Sequence, residues 1–306
     1  MPSDNKKVVL ITGGTDGIGF EAAKCYLHAG FVVVITGRDQ VKLEGALDSL
    51  HALTQEKESV QGLTLDLSSF ESIRTAVATF QELHLPLHVL INNASMICTE
   101  REFTSDTRIF EKTCATNFVG TFYLTHQLLP LLKTTKGRIL TITSMLHDPN
   151  RRLPKDASPI YLFDPENLDG NKAYSWRTFY GLSKLLQLYH IYVLSSRLAE
   201  THSGVTCNAV SPGFVPATNL NRFSWWPLRW AMRNLFPWLI SVARSAEVAG
   251  EEYLYYGTSE AIEGVSGKYF QYKEVVDSSE ESYDMEKAKA AWNLACEATG
   301  IVDEKF

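Results

Sequence analysis

The chain has 306 residues and 45% of them are hydrophobic, so it is long enough to bury a sizeable core and is not expected to be disordered. Lys and Arg total 29 against 35 for Asp and Glu, and the net charge of −6 leaves no basic surplus for binding nucleic acid. The five cysteines form no C-x-x-C pair and no run of about 18 apolar residues occurs, so the sequence predicts neither a zinc site nor a membrane-spanning helix and favours a reducing, cytoplasmic location.

The first predicted element is a strand at 8–11, which is apolar throughout, as expected of a strand buried on both faces of a parallel sheet. A loop with the spacing T-G-x-x-x-G-x-G follows and opens onto an apolar-periodic helix. A strand, a glycine turn and a helix in this order bring backbone amides and a positive helix end to a pyrophosphate. The alternative is a turn that only packs the helix against the strand. The candidate binding residues here are Thr12, Gly13, Thr15, Asp16, Gly17, Ile18 and Gly19.

This loop resembles that of the short-chain dehydrogenase/reductase family, and the resemblance continues through five ordered motifs along nearly the whole chain. It implies an α/β fold: one Rossmann-type, doubly wound domain over residues 1–306, with a central, mainly parallel seven-stranded sheet flanked by helices. It also implies an oxidoreductase that uses a nicotinamide cofactor.

A second buried strand at 31–36 ends in Gly37 and Arg38. In NAD enzymes of the family an acidic residue usually occupies this strand end, whereas a guanidinium suits the 2′-phosphate of NADP. The sequence therefore predicts NADP(H), with Arg38 as its phosphate ligand. There are two reservations: Asp39 is adjacent to Arg38, and Asp16 in the glycine loop would repel a phosphate if it pointed that way. Asp16 has an alternative role as a helix cap, and Arg38 as a solvated surface charge.

A third strand at 60–65 runs into Asp66 and Leu67. The family resemblance implies that the Asp66 carboxylate holds the adenine amino group and that the Leu67 amide binds a ring nitrogen. The alternative is that Asp66 caps a helix beginning near 68–70, and the two roles are compatible.

A fourth strand at 89–91 runs into the segment N-N-A-S, which resembles the family's N-N-A-G beside the cofactor. Asn93 and Ala94 are the candidate residues of this motif. Ser95 replaces the family glycine, and a serine at this position is strained if the backbone requires a positive φ.

A helical pattern from about 106 to 133 contains Asn117, a poor residue for a helix interior. The resemblance implies that this asparagine opens the helix and holds a water molecule that supplies protons to the catalytic lysine. A fifth strand at 138–143 ends at Ser144, where the family places the serine that orients the substrate oxygen. Ligands bind at strand carboxyl ends in such sheets, which favours Ser144 over Thr143.

Tyr180 and Lys184 are four residues apart on a predicted helix, so their side chains share one face. A neighbouring cation favours a phenolate, so Lys184 is predicted to lower the pKa of Tyr180, which becomes a proton donor or acceptor. The insert at 145–179, before this pair, is typical of the family branch with retinol dehydrogenases and light-dependent protochlorophyllide reductases. Tyr174 is a competing phenol, but position 178 is threonine and not lysine.

The helix predicted at 177–202 has a broad apolar face, and relatives often dimerise through it, so a homodimer is an expectation. A sixth strand at 205–210 leads to a P-G motif that resembles the family's nicotinamide-binding segment. Its candidate residues are Pro212, Gly213 and Val215.

The resemblance implies a substrate lid at about 216–245, and four of the six tryptophans lie in this segment, at Trp225, Trp226, Trp230 and Trp238. The aromatic side chains suit a bulky, apolar substrate. Aromatic and basic residues at 223–240 also suit peripheral contact with a membrane, and plain core packing is the third interpretation. A last strand near 267–270 and an amphipathic helix at 284–298 complete the chain.

The sequence thus predicts an NADPH-dependent carbonyl reductase, or the reverse alcohol dehydrogenase, acting on a hydrophobic small molecule. The resemblance implies that Tyr180 is the acid, Lys184 binds the nicotinamide ribose, Ser144 bonds the reacting oxygen and Asn117 maintains the proton supply. The alternatives are a catalytically silent NADP(H)-binding regulator or scaffold, and a reductase of carbon-carbon double bonds.

Overall fold

The computed structural model describes residues 6–150, 163–215 and 244–302. Its centre is an eight-stranded sheet in the order β3-β2-β1-β4-β5-β6-β7-β8, with β8 antiparallel to β7 and the other neighbours parallel. The strands are β1 (Val8–Ile11), β2 (Val32–Gly37), β3 (Val60–Thr64), β4 (Val89–Asn92), β5 (Arg138–Ile142), β6 (Thr206–Ser211), β7 (Tyr269–Gln271) and β8 (Glu274–Val275).

The longer helices of the described residues flank this sheet, and none of them is long and apolar enough to cross a membrane. They are α1 (Gly17–His28), α2 (Gln40–His51), α3 (Phe70–Glu82), α4 (Lys112–Cys114 and Thr121–Thr135, joined by a π-helical turn at Ala115–Gly120), α5 (Trp176–Glu200), α6 (Ala246–Thr258) and α7 (Met285–Thr299). Residues 151–162 of the predicted insert and 216–243 of the predicted lid lie outside the described residues. A single domain over 1–306 therefore stays a prediction.

Two hydrophobic clusters lie on opposite faces of the sheet, as the alternation of side chains along each strand requires. In β1, Val8 and Leu10 pack on one face with α3, α4, α5 and α7. Val9 and Ile11 pack on the other face with α1, α2 and α6. All four side chains are at most 2% exposed, which explains why this strand is apolar at every position.

The order of the strands reverses between β1 and β4. In open parallel sheets the crevice outside the carboxyl ends of the strands at such a switch point is where ligands bind. The loops that follow β1, β2, β4, β5 and β6 all lie at this edge, and they contain most of the candidate residues. The predicted Rossmann-type, doubly wound architecture is confirmed.

The prediction of seven strands was one strand short. Tyr272 and Lys273 have φ values of 56° and 67° and reverse the chain between β7 and the two-residue strand β8. Positive φ at both central residues is the geometry of a type I′ hairpin turn, which usually contains Asn or Gly. Because neither is present, the sequence gives no sign of this hairpin.

Helix α7 covers the apolar face of α5 that suggested a homodimer. Trp292 of α7 is 1% exposed, and its ring centroid lies 5.0 Å from that of Phe122 and 5.8 Å from that of His190. The guanidinium of Arg197 lies 4.6 Å from the indole. The reason given for a dimer through α5 therefore does not hold, because this face is already buried within the chain.

Candidate active site

The loop between β1 and α1 turns sharply through glycines. Gly13 and Gly17 have φ values of 66° and 58°, in the left-handed region that favours glycine. A Cβ at Gly19 would lie 2.5 Å from Asn93 Nδ2, so only a glycine allows the start of α1 to lie this close to the Asn93 side chain. A Cβ at Gly17 would meet nothing within 4 Å, so the backbone here borders open space at the positive end of α1. This cradle fits the pyrophosphate of a dinucleotide.

Thr12 joins the ends of β1 and β4. Its hydroxyl accepts hydrogen bonds from the amides of Asn93 and Ala94, each at 2.9 Å, and donates one to Ile91 O at 3.3 Å. Asn93 Nδ2 donates to Thr12 O at 2.9 Å. Ser95, which follows this motif, is not among the residues with positive φ, so the serine is accommodated without the anticipated backbone strain.

The end of β2 lies beside the glycine loop, because a Cβ at Gly37 would be 2.5 Å from Thr15 Cγ2. Arg38 is exposed at this position. Asp16 caps α1 by accepting from the Gly17 amide at 2.7 Å, and Asp39 caps α2 by accepting from the amide three residues on at 3.1 Å. Since both carboxylates accept from helix amides, the reservation they raised against a phosphate at Arg38 is weakened.

Asp66 stabilises the turn between β3 and α3 without capping the helix. Its Oδ1 accepts from the amide and the hydroxyl of Ser68, at 2.8 and 2.7 Å, while Ser69 is the N-cap of α3. The alternative role of Asp66 as the cap was therefore wrong. The next residue, Leu67, lies against the π-helical turn, where a Cβ at Gly120 would be only 2.0 Å from Leu67 O.

Tyr180 and Lys184 lie on one face of α5 as predicted, 7% and 2% exposed. Lys184 Nζ is 5.6 Å from the centroid of the Tyr180 ring. It donates hydrogen bonds to Ile142 O at 2.9 Å and to Gln187 Oε1 at 3.1 Å. The Ser144 side chain lies close enough to the Tyr180 hydroxyl to lower its pKa. The phenol, the ammonium and the serine thus meet at the carboxyl end of β5.

Burial dominates the titration of both groups. It raises the pKa of Tyr180 to about 12, and the neighbouring Ser144 side chain opposes this rise. It lowers the pKa of Lys184 to about 7. The sequence predicts that Lys184 lowers the pKa of the phenol. The pKa is instead raised, because desolvation of the ring outweighs the lowering contribution, which comes from Ser144. Tyr180 is therefore protonated at neutral pH, which suits a proton donor.

Ser144 follows β5, and its neighbours hold it in place. Thr143 is 3% exposed and donates to Lys184 O at 3.0 Å, so its hydroxyl fixes α5 and leaves the substrate role to Ser144. The Ser279 amide donates to His147 Nε2 at 2.9 Å, so Nδ1 is the protonated nitrogen and donates to Ser144 O at 2.7 Å. The segment before α7 therefore supports the serine through His147.

Tyr174, the competing phenol, has a structural position. Its hydroxyl lies 3.0 Å from Cys98 O and 2.9 Å from Glu100 O. Arg101 Nε donates to Asp169 O at 2.8 Å in the same contact. These bonds fasten the described part of the insert to the loop after β4, and they agree with the choice of Tyr180 over Tyr174.

Asn117 lies in the π-helical turn of α4, in agreement with the opening of the helix that was predicted there. Its Oδ1 accepts from the Met96 amide at 2.8 Å, and its Nδ2 donates to Met96 O at 2.9 Å. Its main-chain oxygen accepts from Gln187 Nε2 at 2.7 Å. Gln187 was not among the sequence candidates. Its only available signal was its position one helical turn after Lys184.

The segment after β6 contains the last candidate residues. Gly213 has a φ of 78°, Val215 is 6% exposed in the core, and Phe214 is 39% exposed. The Arg244 amide donates to Phe214 O at 2.9 Å. Pro212 belongs to the same turn. The four tryptophans of the predicted lid and the segment 223–240, predicted to contact a membrane, lie outside the described residues.

Comparisons with known proteins point to one family. The family model of the short chain dehydrogenases matches residues 7–151. Polyprenol dehydrogenase of Homo sapiens is 31% identical over 99% of this chain and 88% of its own length. Retinol dehydrogenase 12 of Mus musculus is 34% identical over 96% and 87%. These relatives match the sequence over nearly its full length.

Two crystal structures match the fold. An uncharacterised protein from Mycobacterium paratuberculosis has a TM-score of 0.71 at 25% identity, over 98% of this chain and 96% of its own. An actinorhodin polyketide ketoreductase with NADPH has a TM-score of 0.64 at 22% identity, over 89% and 97%. Retinol dehydrogenase 12 among the relatives confirms the predicted branch. On the fold, the ordered motifs and these full-length matches, the chain belongs to the short-chain dehydrogenase/reductase family of oxidoreductases.

Proposed function

We propose that the chain is an NADP(H)-dependent oxidoreductase that transfers hydride between the nicotinamide and the carbonyl or alcohol of a bulky hydrophobic substrate. The observation that carries this proposal is the buried pair of Tyr180 and Lys184, with the Ser144 side chain beside the Tyr180 hydroxyl at the carboxyl end of β5. A protonated phenol, a hydroxyl and an ammonium in one crevice suit proton transfer to a carbonyl oxygen.

The glycine cradle and the neighbouring strand ends would hold the cofactor. Its proposed ligands are Thr12, Gly13, Thr15, Asp16, Gly17, Ile18, Gly19, Arg38, Asp66, Leu67, Asn93, Ala94, Lys184, Pro212, Gly213 and Val215. When bound, NADPH supplies the hydride and so the two reducing electrons.

In the reductive direction Tyr180 donates its hydroxyl proton to the carbonyl oxygen of the substrate, which becomes the alcohol oxygen. Ser144 hydrogen-bonds the same oxygen and orients it. The positive charge of Lys184 stabilises the phenolate that Tyr180 becomes. The raised pKa of Tyr180 supports the role of acid, because it keeps the proton on the phenol until transfer.

The proposed substrate class is a long or polycyclic apolar aldehyde or ketone. Trp176 and Phe214, which are 38% and 39% exposed, lie at the start of α5 and after β6 and are the exposed aromatic side chains that support this class. The relatives named for polyprenol and retinol support an isoprenoid alcohol or its carbonyl form.

The test is NADPH oxidation with retinal, a polyprenal and short aldehydes as a size series, with products identified by mass. We expect kcat/KM to rise with the apolar length of the aldehyde and the product to be the alcohol. Tight NADPH binding without turnover of any member would contradict the proposal and favour a silent binding protein. A saturated carbonyl product would instead identify reduction of a carbon-carbon double bond.

Replacing Arg38 by leucine is expected to weaken NADPH binding about 10- to 100-fold and leave NADH binding unchanged. A hydrogen bond to a charged group contributes about 1.5–3 kcal/mol, and NADH has no 2′-phosphate to lose it. Fluorescence titration with both cofactors measures the change. Lys57→Leu is the matched control, because it removes a positive charge just before β3, at the opposite edge of the sheet. Equal weakening for NADH would contradict the role given to Arg38.

A further inference from the structure

Gln187 joins two residues of the site by hydrogen bonds at both ends of its side chain. It is 1% exposed, its Oε1 accepts from Lys184 Nζ at 3.1 Å and its Nε2 donates to Asn117 O at 2.7 Å. An ammonium can only donate and a carbonyl can only accept, so the chemistry of the partners determines which end of the amide faces each. The link is therefore directional.

The Asn117 end of this link is held rigidly. The Asn117 amide bonds Met96 N and O, and its Nδ2 also donates to Ser183 Oγ at 3.1 Å. The Ser183 hydroxyl in turn donates to Tyr180 O at 2.7 Å. The π-helical turn displaces the usual helical pairing around Asn117, and such turns are frequent at functional sites. Gln187 thus ties Lys184 to a fixed frame around Tyr180.

We propose that Gln187 is a positioning residue for the reaction. Its amide bridges Lys184 and Asn117 and fixes the ammonium beside Tyr180. Because the amide occupies this place, it closes the route by which water would carry protons from Asn117 to Lys184. The inference rests on the proposed function and concerns the water-mediated supply that the family resemblance implied for Asn117. Gln187 Oε1 carries no proton in the amide form, so it has none to pass to Lys184, whereas a water molecule in the same place could donate one and be restored by rotation.

The Lys184 ammonium donates to two uncharged acceptors, Ile142 O and Gln187 Oε1. The titratable group facing it is Tyr180 on the same helix, and Tyr253 of α6 interacts electrostatically with that phenol. Gln187→Glu keeps the side-chain length and adds a compensating negative charge. Gln187→Met keeps the length and removes both hydrogen bonds.

The pH dependence of kcat separates positioning from a general structural role. In Gln187→Glu we expect the ionisation assigned to Lys184 to move up by at least about one pH unit, because a carboxylate favours the ammonium. In Gln187→Met we expect kcat to fall about tenfold, the order of one hydrogen bond to a charged group. The exposed Gln81→Met is the matched control. Variants that lose thermal stability but keep the parental pH profile would overturn the proposal.

A second measurement needs no substrate, so failure of the proposed function is distinguishable from failure of this inference. The pKa of Lys184 is lowered by folding, so the unfolded chain binds more protons between pH 7 and the ordinary lysine value. The free energy of unfolding contributed by Lys184 therefore rises with pH in this window. Gln187→Glu is expected to flatten that slope relative to the parent in urea titrations. If the free energy of unfolding has the same pH slope in the parent and in Gln187→Glu, the side chains at 184 and 187 do not interact and the inference is wrong.

Discussion

Replacing Tyr180 by phenylalanine is expected to lower kcat for carbonyl reduction at least about 100-fold while NADPH binding stays within about twofold. The ring remains and fills the same buried space, so the change removes the proton donor and its interaction with Ser144 and little else. Single-turnover kinetics with the best aldehyde, together with fluorescence titration of NADPH, measures the two effects separately.

Tyr174→Phe is the control for this experiment, because it removes the other phenol considered from the sequence. Its hydroxyl bonds the carbonyls of Cys98 and Glu100, so we expect a loss of about 1 kcal/mol in the free energy of unfolding and unchanged turnover. If Tyr180→Phe reduces the aldehyde as fast as the parent, the assignment of the acid is wrong. If Tyr174→Phe is the variant that loses turnover, the two phenols have been exchanged.

The features that depend on local pattern were predictable from the sequence. The strand at 8–11 was assigned to its observed residues, because a strand buried on both faces must be apolar at each position. The loop after it, from Thr12 to Gly19, was recognisable because its glycines have individual backbone reasons, as Gly17 and Gly19 show. Tyr180 and Lys184 were paired correctly because helix geometry alone places them on one face.

The features that depend on tertiary packing were not predictable. The sequence shows that a cation lies near Tyr180, but the sign of the pKa shift depends on how completely the fold buries the ring. Gln187 is 70 positions from Asn117, and only the fold brings the two together. Likewise the helix expected from about 106 begins at Lys112, because the Glu111 amide donates to Leu168 O of the insert.

The loss of the argument for a homodimer has the same origin. An apolar helix face predicts a partner, but it does not say whether the partner is a second subunit or a later part of the chain. In this protein the later part is α7, and Trp292 is its largest fully buried side chain, in contact with α4 and α5. We therefore expect the packing of this layer to be sensitive to the indole.

Replacing Trp292 by alanine is expected to lower the free energy of unfolding by about 3–5 kcal/mol, the usual cost of removing a buried aromatic side chain. The indole is 1% exposed and contacts Phe122, His190 and Arg197, so its loss leaves a cavity between α7 and the α4–α5 layer. Urea unfolding followed by circular dichroism measures the change. Since a typical domain is stable by about 5–15 kcal/mol, the variant is expected to remain folded but with a much lower midpoint.

Met285→Ala on the same helix is the matched control, because Met285 is 37% exposed and its truncation is expected to cost less than about 1 kcal/mol. Loosening α7 uncovers an apolar face, and such a face drives association. We therefore expect the parent to sediment as a monomer and Trp292→Ala to self-associate as its concentration rises. If the parent is a dimer and Trp292→Ala dimerises with the same affinity, α7 does not decide the oligomeric state. If Trp292→Ala loses no more stability than Met285→Ala, the indole does not anchor α7 to the layer of α4 and α5.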